Sequence, residues 1–178
     1  SIDANSTFIK IIIEKYGLSL IKIDDNGCGI YKKEFLLLLN GNATSKIFSI
    51  FDIRESNFYG RYGNALSIIS SISKIKLISK PRKQKFAWSI SIDEYGYYIS
   101  PDLYNNGTSV SIFDLYYNLP YKNMFILKKF NNYYEIGKIF KIFLLCCTNI
   151  EFYIDYGNRI YFYSSCFDII GIEKRLIR

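Results

Sequence analysis

Residues 9–30 read I-K-I-I-I-E-K-Y-G-L-S-L-I-K-I-D-D-N-G-C-G-I. Isoleucine and leucine dominate two runs in this stretch, 9–15 and 18–24, and the runs meet at Tyr16-Gly17. Short apolar runs on either side of a glycine-containing break predict a hairpin of two β-strands.

A glycine-rich stretch, Asp25-Asn26-Gly27-Cys28-Gly29, follows the second strand directly. Two glycines at this spacing let the backbone approach a flat ligand closely, because no side chain stands in the way. The Asp25 carboxylate at the strand end can accept a hydrogen bond from an exocyclic amine. The other interpretation is an ordinary Asp-Asn-Gly turn, which needs no ligand.

The remaining pattern predicts more strands than helices. Strands are expected at 74–79, 85–93, 95–100, 108–115, 150–156 and 159–163, and helices at 31–39, 64–71, 131–147 and 167–176. Strands that cluster in hairpins, with helices early and late, predict an α+β fold: a two-layer sandwich in which a mostly antiparallel sheet is covered on one face by helices. No Pro/Gly/Ser linker divides the 178 residues, so we expect one domain.

Composition excludes several kinds of chemistry. The chain has no histidine, which excludes a Ser-His-Asp triad, a Cys-His pair and a His-ligated zinc site within it. Its four cysteines form no C-x-x-C pair, so neither a structural zinc site nor a disulfide framework is expected, and a reducing compartment fits better. The apolar runs are too short to span a bilayer, so no membrane partner is expected.

The net charge of +7 comes from one part of the chain. Residues 1–60 and 93–178 each hold as many acidic as basic side chains, whereas residues 61–92 hold seven basic and no acidic ones. These seven are Arg61, Lys74, Lys76, Lys80, Arg82, Lys83 and Lys85. An electropositive ridge that attracts nucleic acid is one interpretation, and an exposed hairpin made soluble by lysines is the other.

Three more short motifs carry polar groups suited to a phosphate or a base. Gly60 and Gly63 precede a predicted helix, and backbone N–H groups at such a start bind phosphate. Ala43-Thr44-Ser45-Lys46-Ile47 supplies two hydroxyls and an ammonium in a polar loop, and Gly107-Thr108 begins a predicted strand. Each of them alone also fits a simple turn or cap.

Taken in order, these motifs resemble those of the MutL family, the mismatch-repair branch of the GHKL ATPases. Ser1-Ile2-Asp3-Ala4 resembles the end of the family's E-x-x-x-N-S-[IL]-D-A motif, and residues 25–30 resemble D-N-G-x-G-I. Residues 43–47 match A-T-S-K-I, residues 59–66 resemble G-F-R-G-E-A-L, and residues 107–120 resemble G-T-x-V followed by D-L-F-Y-N-x-P. The resemblance covers essentially the whole chain and leans towards the third eukaryotic, meiotic homologue.

The resemblance implies a GHKL (Bergerat-type) ATP-binding domain over residues 1–178, with ATP and Mg²⁺ as cofactors. Asp25 would accept the adenine amino group, Thr108 would support that contact, and Gly27 and Gly29 would make room for the purine. The implied ATP-binding residues are Asp25, Asn26, Gly27, Gly29, Thr44, Ser45, Lys46, Gly60, Arg61, Tyr62, Gly63, Asn64, Ala65, Leu66 and Thr108. The implied DNA-binding residues are Lys74, Lys76, Lys80, Arg82, Lys83 and Lys85.

The chain departs from the family's pattern at several places. The general-base Glu and the magnesium-holding Asn of the family would fall immediately before Ser1, and its second, transducer-like domain would follow this chain. No catalytic residue and no metal ligand is therefore expected within residues 1–178, and this stretch alone should bind ATP weakly and scarcely hydrolyse it. Asn64 stands where the family has an acidic residue, and Tyr121-Lys122-Asn123 stands where it has an arginine-bearing run.

The resemblance implies an ATPase whose ATP-driven N-terminal dimerisation gates a DNA clamp. Its partners would be double-stranded DNA and another MutL-family subunit, in a homodimer or heterodimer, and it would lie in the nucleus of a eukaryote or otherwise in the cytoplasm. The alternative is a non-catalytic GHKL-fold scaffold or dimerisation module with a degenerate ATP lid.

Overall fold

Eight strands form within the residues that the computed structural model describes, which are 1–39, 64–122, 134–156 and 159–163. The strands are β1 (Phe8–Glu14), β2 (Leu20–Asp25), β3 (Lys74–Lys80), β4 (Ala87–Asp93), β5 (Gly96–Asp102), β6 (Gly107–Phe113), β7 (Glu151–Tyr156) and β8 (Arg159–Tyr163). The α-helices are α1 (Phe35–Leu39), α2 (Ala65–Ser70) and α3 (Tyr134–Cys146). Short 3-10 turns occupy Ile2–Ala4, Lys15–Gly17 and Lys32–Glu34.

The strands form one sheet in the order β5-β4-β3-β6-β2-β1-β7-β8. β1 and β7 run parallel, and every other neighbouring pair in this sheet is antiparallel. The register between β2 and β6 sets Asp25 opposite Thr108, although the two residues are far apart in the chain. The predicted α+β architecture with a mostly antiparallel sheet is confirmed.

Alternation along β3 shows how the sequence selects the two faces of the sheet. Ile75, Leu77 and Ser79 are buried, whereas the intervening Lys74 and Lys76 are half-buried, as expected for a strand with one wet face. The buried positions face the helices, and we call the opposite surface the open face. Burial of these apolar side chains is the main favourable term holding the helix layer to the sheet.

Two clusters of buried side chains lie between the sheet and the helices. The first, around α3, β1 and β7, contains Ile9, Leu144, Cys147, Ile150, Phe152 and Ile154. The second joins α1 to β3 and β4 and contains Phe35, Leu77 and Ile90. At the edge of the first cluster the Phe140 and Tyr156 rings meet edge to face, with their centroids 5.4 Å apart.

Most predicted elements are present with shifted ends. The predicted helix at 31–39 is divided into the 3-10 turn Lys32–Glu34 and α1, and the predicted helix at 131–147 is observed as α3. The predicted strand at 85–93 begins only at Ala87, because the Gln84 N–H donates to the Pro81 oxygen in a turn that precedes it. The predicted closing helix at 167–176 lies outside the described residues.

Replacing Phe35 by alanine should detach α1 from the sheet. Phe35 is fully buried, so its truncation leaves a cavity and is expected to lower the free energy of unfolding by about 3–5 kcal/mol. Chemical denaturation followed by the fluorescence of Trp88, the single tryptophan, measures this. Leu37→Ala on the same helix is the control, since Leu37 is 52% exposed, and an equal loss in both variants would contradict the packing assigned to Phe35.

Candidate functional site

Two adjacent aspartates at the end of β2 point to opposite faces of the sheet. Asp25 shares the helix-covered face with Ile23, which packs against the first core cluster. Asp24 lies on the open face, where its carboxylate is 3.1 Å from the Lys22 ammonium. Because side chains alternate along a strand, one position of register decides which carboxylate faces the helices.

The Asp25 carboxylate is buried, with 8% of the residue exposed, and the chain itself holds it in place. Oδ1 accepts hydrogen bonds from the main-chain N–H of Gly27 at 2.9 Å and of Thr108 at 3.2 Å. Oδ2 accepts one from the Ser1 hydroxyl at 2.7 Å. A carboxylate has about four lone-pair positions, so these three bonds leave one acceptor position on Oδ2.

Ser79, which the sequence analysis did not single out, joins three segments at this site. Its hydroxyl oxygen accepts a hydrogen bond from the Ile30 N–H at 2.8 Å and lies 2.9 Å from both the Gly107 carbonyl oxygen and Thr108 Oγ1. Ser79 has no exposed surface. The strand β3 is therefore tied both to the chain that follows the glycine-rich stretch and to the start of β6.

The glycines of the site allow the chain to approach itself. A Cβ at Gly27 would lie 2.7 Å from Ala4 Cβ, and one at Gly29, whose φ is +76°, would lie 2.7 Å from the Pro81 nitrogen. One at Gly107, with a φ of +120°, would overlap the main-chain oxygen of Asp25. Other segments of the protein thus fill the position of a side chain at Gly27 and Gly29, and the expectation that these glycines make room for a purine stays a prediction.

Asn26, another predicted site residue, secures the start of β1. Its side-chain oxygen accepts hydrogen bonds from the N–H groups of Thr7 and Phe8, at 2.9 and 3.0 Å, and its amide nitrogen donates to the Thr7 hydroxyl at 2.8 Å. These three bonds use most of the amide's capacity. Asn26 therefore acts on the backbone around Asp25 in this structure.

The predicted loop and lid residues are only partly covered by the structure. Those outside the described residues are Thr44, Ser45, Lys46, Gly60, Arg61, Tyr62 and Gly63. Asn64 precedes α2, and its main-chain oxygen accepts hydrogen bonds from the Ile68 N–H at 3.0 Å and the Ser67 hydroxyl at 2.9 Å. Ala65 is exposed at the start of that helix, and Leu66 packs against the second core cluster.

The predicted basic ridge consists of two parts: Lys74 and Lys76 within β3, and the half-buried Lys80 at the end of β3 together with the turn that follows it. On the open face of β3, Lys74 lies 3.7 Å from the Asp114 carboxylate and Lys76 lies 3.1 Å from that of Asp102. Burial alone would raise the pKa of Asp102, but the Leu103 N–H and the Lys76 ammonium outweigh it and hold that pKa below its usual value. The charges of these two lysines are thus largely neutralised within the sheet.

The other part of the ridge is the turn between β3 and β4. Arg82, Lys83 and Lys85 are exposed there, and within the described residues Arg82 and Lys83 form no ion pair. The turn adjoins the glycine-rich stretch, since Pro81 packs against Gly29. Uncompensated positive charge on the described part of the ridge is therefore concentrated beside the site rather than along β3.

An open cleft of about 660 Å³ lies on the open face of the sheet, behind Asp25. Phe8, Lys10, Asp24 and Tyr104 contribute to its walls. Burial raises the pKa of Tyr104, and the carboxylates of Asp24 and Asp25 raise it further. Asp25 and Asn26 also line this cleft, although the Asp25 side chain is on the helix-covered face of β2.

Two further observations bear on the kind of site. Within residues 1–39, 64–122, 134–156 and 159–163, no three Asp, Glu or Cys side chains gather in a way that could hold a metal ion. In the same part of the chain, no helix has both the length and the apolar character needed to cross a membrane.

Comparison with known proteins shows the family of the chain. The family described as histidine kinase-, DNA gyrase B- and HSP90-like ATPase matches residues 1–100. The chain is 35% identical over 179 residues to the DNA mismatch repair protein MutL of Vibrio vulnificus strain CMCP6, covering 99% of this chain and 27% of that protein. It is 34% identical over 162 residues to MutL of Escherichia coli K12/DH10B, covering 90% of this chain and 26% of that protein.

Solved structures share the fold. The N-terminal domain of a DNA repair protein superposes with a TM-score of 0.75 at 25% identity, covering 99% of this chain and 52% of that one. The Aquifex aeolicus MutL ATPase domain complexed with ADP superposes with a TM-score of 0.72 at 22% identity, covering 99% and 62%. The second likeness concerns the fold alone.

The chain therefore belongs to the family of histidine kinase-, DNA gyrase B- and HSP90-like ATPases. Within that family, the resemblance to the ATPase region of MutL mismatch-repair proteins is confirmed, and the chain spans about a quarter of the length of the MutL relatives that it matches. Both of these relatives are bacterial, so the lean towards the meiotic eukaryotic homologue finds no support in them.

Proposed function

We propose that residues 1–178 are the ATP-binding domain of a MutL-type DNA mismatch-repair protein. The observation that carries the proposal is the buried Asp25 carboxylate, whose Oδ2 keeps one acceptor position. Asp25 lies opposite Thr108 on the neighbouring strand β6. An exocyclic amine donates to such an acceptor, and adenine carries one. The match of residues 1–100 to a family described as ATPases supports a nucleotide as the ligand class.

Mg²⁺ is the second cofactor that the resemblance implies. The described residues contain no group of three acidic or cysteine side chains that could hold a metal ion, and we assign no Mg²⁺ ligand among them. Mg²⁺ bound to the phosphates of ATP is part of the expected substrate complex. The catalytic general base is likewise assigned to no residue of this chain.

The wider proposal follows from the MutL relatives. ATP binding would drive dimerisation of this domain with another MutL-family subunit and so gate a clamp on double-stranded DNA. The alternative, a non-catalytic scaffold with a degenerate lid, is suggested by Asn64, which replaces an acidic residue of the family's motif. The intact Asp25 site favours nucleotide binding over that alternative.

Titration of the full-length protein with a fluorescent ATP analogue and Mg²⁺ tests the proposal. Saturable binding that unlabelled ATP displaces is expected, whereas a protein that shows no such binding at millimolar nucleotide would be the scaffold. Measuring ATP hydrolysis in the same preparation then separates an ATPase from a domain that only binds.

A second measurement addresses DNA. Replacing Arg82 and Lys83 together by alanine should reduce the salt dependence of duplex binding by about two counterions, because each exposed charge lost removes about one. The affinity for a duplex oligonucleotide, measured at several salt concentrations, gives this slope. Lys76→Ala should change the slope much less, since that ammonium already pairs with Asp102 at 3.1 Å. Equal changes in the two variants would exclude the turn as the principal contact.

A further inference from the structure

The hydrogen bonds of Ser79 leave no freedom in where its proton lies. A serine hydroxyl donates one hydrogen bond and accepts two. The carbonyl oxygen of Gly107 can only accept, so the contact of 2.9 Å to it uses the single proton of Ser79. The Ile30 N–H, 2.8 Å away, fills the first lone pair of the hydroxyl oxygen.

The third contact of Ser79 then fixes the direction of the Thr108 hydroxyl. Thr108 Oγ1 lies 2.9 Å from Ser79 Oγ, and either oxygen could donate on distance alone. With the Ser79 proton already on Gly107, Thr108 must donate to Ser79. Thr108 Oγ1 is therefore left with two lone pairs and no proton for a ligand.

Asp25 and Thr108 consequently offer acceptors alone to whatever binds beside them. They are opposite each other on β2 and β6, and their side chains share the helix-covered face. The amino group at C6 of adenine can donate to such an edge, whereas the carbonyl oxygen at C6 of guanine, bound in the same orientation, cannot and leaves these acceptors unpaired. Rejection by unpaired buried polar groups is far stronger than rejection by shape.

We propose that Ser79 is a positioning residue that makes this site select a purine with an amino group at C6, as in ATP, over one with a carbonyl oxygen at C6, as in GTP. This inference rests on the proposed nucleotide function. Ser79 acts through Thr108, whose hydroxyl it orients, and it also holds the end of the glycine-rich stretch through Ile30. No part of the selection requires Ser79 to touch the nucleotide.

The test compares the dissociation constants for ATP and GTP, each with Mg²⁺, in the full-length protein. In Ser79→Ala the Thr108 hydroxyl is free to rotate and donate to the guanine oxygen, so the preference for ATP over GTP should narrow about tenfold. Thr108→Val should narrow it similarly, and adding Ser79→Ala to Thr108→Val should narrow it no further. A loss of stability alone would weaken both nucleotides by the same factor.

Ser89→Ala is the matched control, because Ser89 is also a buried serine, 3% exposed, but bonds to Ser100 on the open face. It should leave the ratio unchanged. Ser79→Cys keeps the shape of the side chain but has a weaker hydrogen-bonding group. It replaces Ser79→Ala in the test if that variant does not fold. If Ser79→Ala and Ser79→Cys both leave the ratio of the GTP and ATP dissociation constants unchanged, the inference is overturned. If Asp25→Asn leaves the affinity for ATP unchanged, the proposed function itself is overturned.

Discussion

Replacing Asp25 by asparagine is expected to weaken ATP binding about 100-fold, because a charged acceptor for the adenine amine contributes about 1.5–3 kcal/mol when buried. The asparagine carbonyl oxygen can keep the hydrogen bonds from the N–H groups of Gly27 and Thr108, so its N–H₂ group would replace Oδ2 and set a donor against the adenine amine. Titration with a fluorescent ATP analogue measures the change. The fluorescence of Trp88 reports whether the variant is folded.

Asp24→Asn is the control that the fold provides for this experiment. Its carboxylate differs from that of Asp25 by one position in the chain, yet it faces the opposite side of the sheet and pairs with Lys22 at 3.1 Å. Binding within about twofold of the unaltered protein is expected, because the loss of a partly exposed ion pair is a small effect. Equal affinities for ATP in Asp24→Asn and Asp25→Asn, whether high or low, would contradict the adenine-binding role of Asp25.

Replacing Gly107 by alanine is expected to lower the free energy of unfolding by more than about 4 kcal/mol, a loss reserved for severe mechanisms. Two causes combine there. The φ of +120° disfavours any side chain, and the new Cβ would overlap the Asp25 main-chain oxygen and lie 2.8 Å from Asn26 Cα. Because β2 must then separate from β6, nucleotide binding should be lost in the same variant. Denaturant titration measures the first effect and nucleotide titration the second.

The Gly96→Ala variant measures the cost of a side chain at positive φ without a steric clash. Gly96 has a φ of +125°, and a Cβ added there meets nothing within 4 Å, so the substitution carries the conformational penalty of about 1–3 kcal/mol without the clash. Gly96 lies at the end of β5, far along the sheet from Asp25. If Gly107→Ala were no more destabilising than Gly96→Ala, the close approach of β6 to the end of β2 would be refuted.

Several features of the site were predicted from local sequence. The hairpin at 9–15 and 18–24, the acid at its end and the strand that begins at Gly107-Thr108 are all present, because alternation and turn residues act over a few neighbouring positions. That two glycines make room for a ligand stays a prediction. A glycine indicates that another group approaches the backbone closely. The sequence does not say whether that group is a ligand or, as at Gly27 and Gly29, another segment of the chain.

The ridge lysines illustrate the same limit for charge. Their excess over residues 61–92 is visible in the sequence, and so is their alternation with buried positions on β3. Their neutralisation is not, since Asp102 and Asp114 come from a later part of the chain and reach Lys76 and Lys74 only across the sheet. Counting charge by segment therefore overestimates the uncompensated positive charge along β3. It describes the exposed charges of Arg82 and Lys83 in the turn more reliably.

By itself the sequence determined the strands, their wet and dry sides and the acid of the site, since each depends on a periodicity or motif read within a few residues. Only the tertiary structure decided that Ser79 belongs to that site. It looks like any other serine of a strand, and its partners Ile30 and Thr108 stand 49 and 29 positions away. The physical reason is that the direction of a hydroxyl proton depends on which acceptors and donors surround it, and strand order alone brings those groups together.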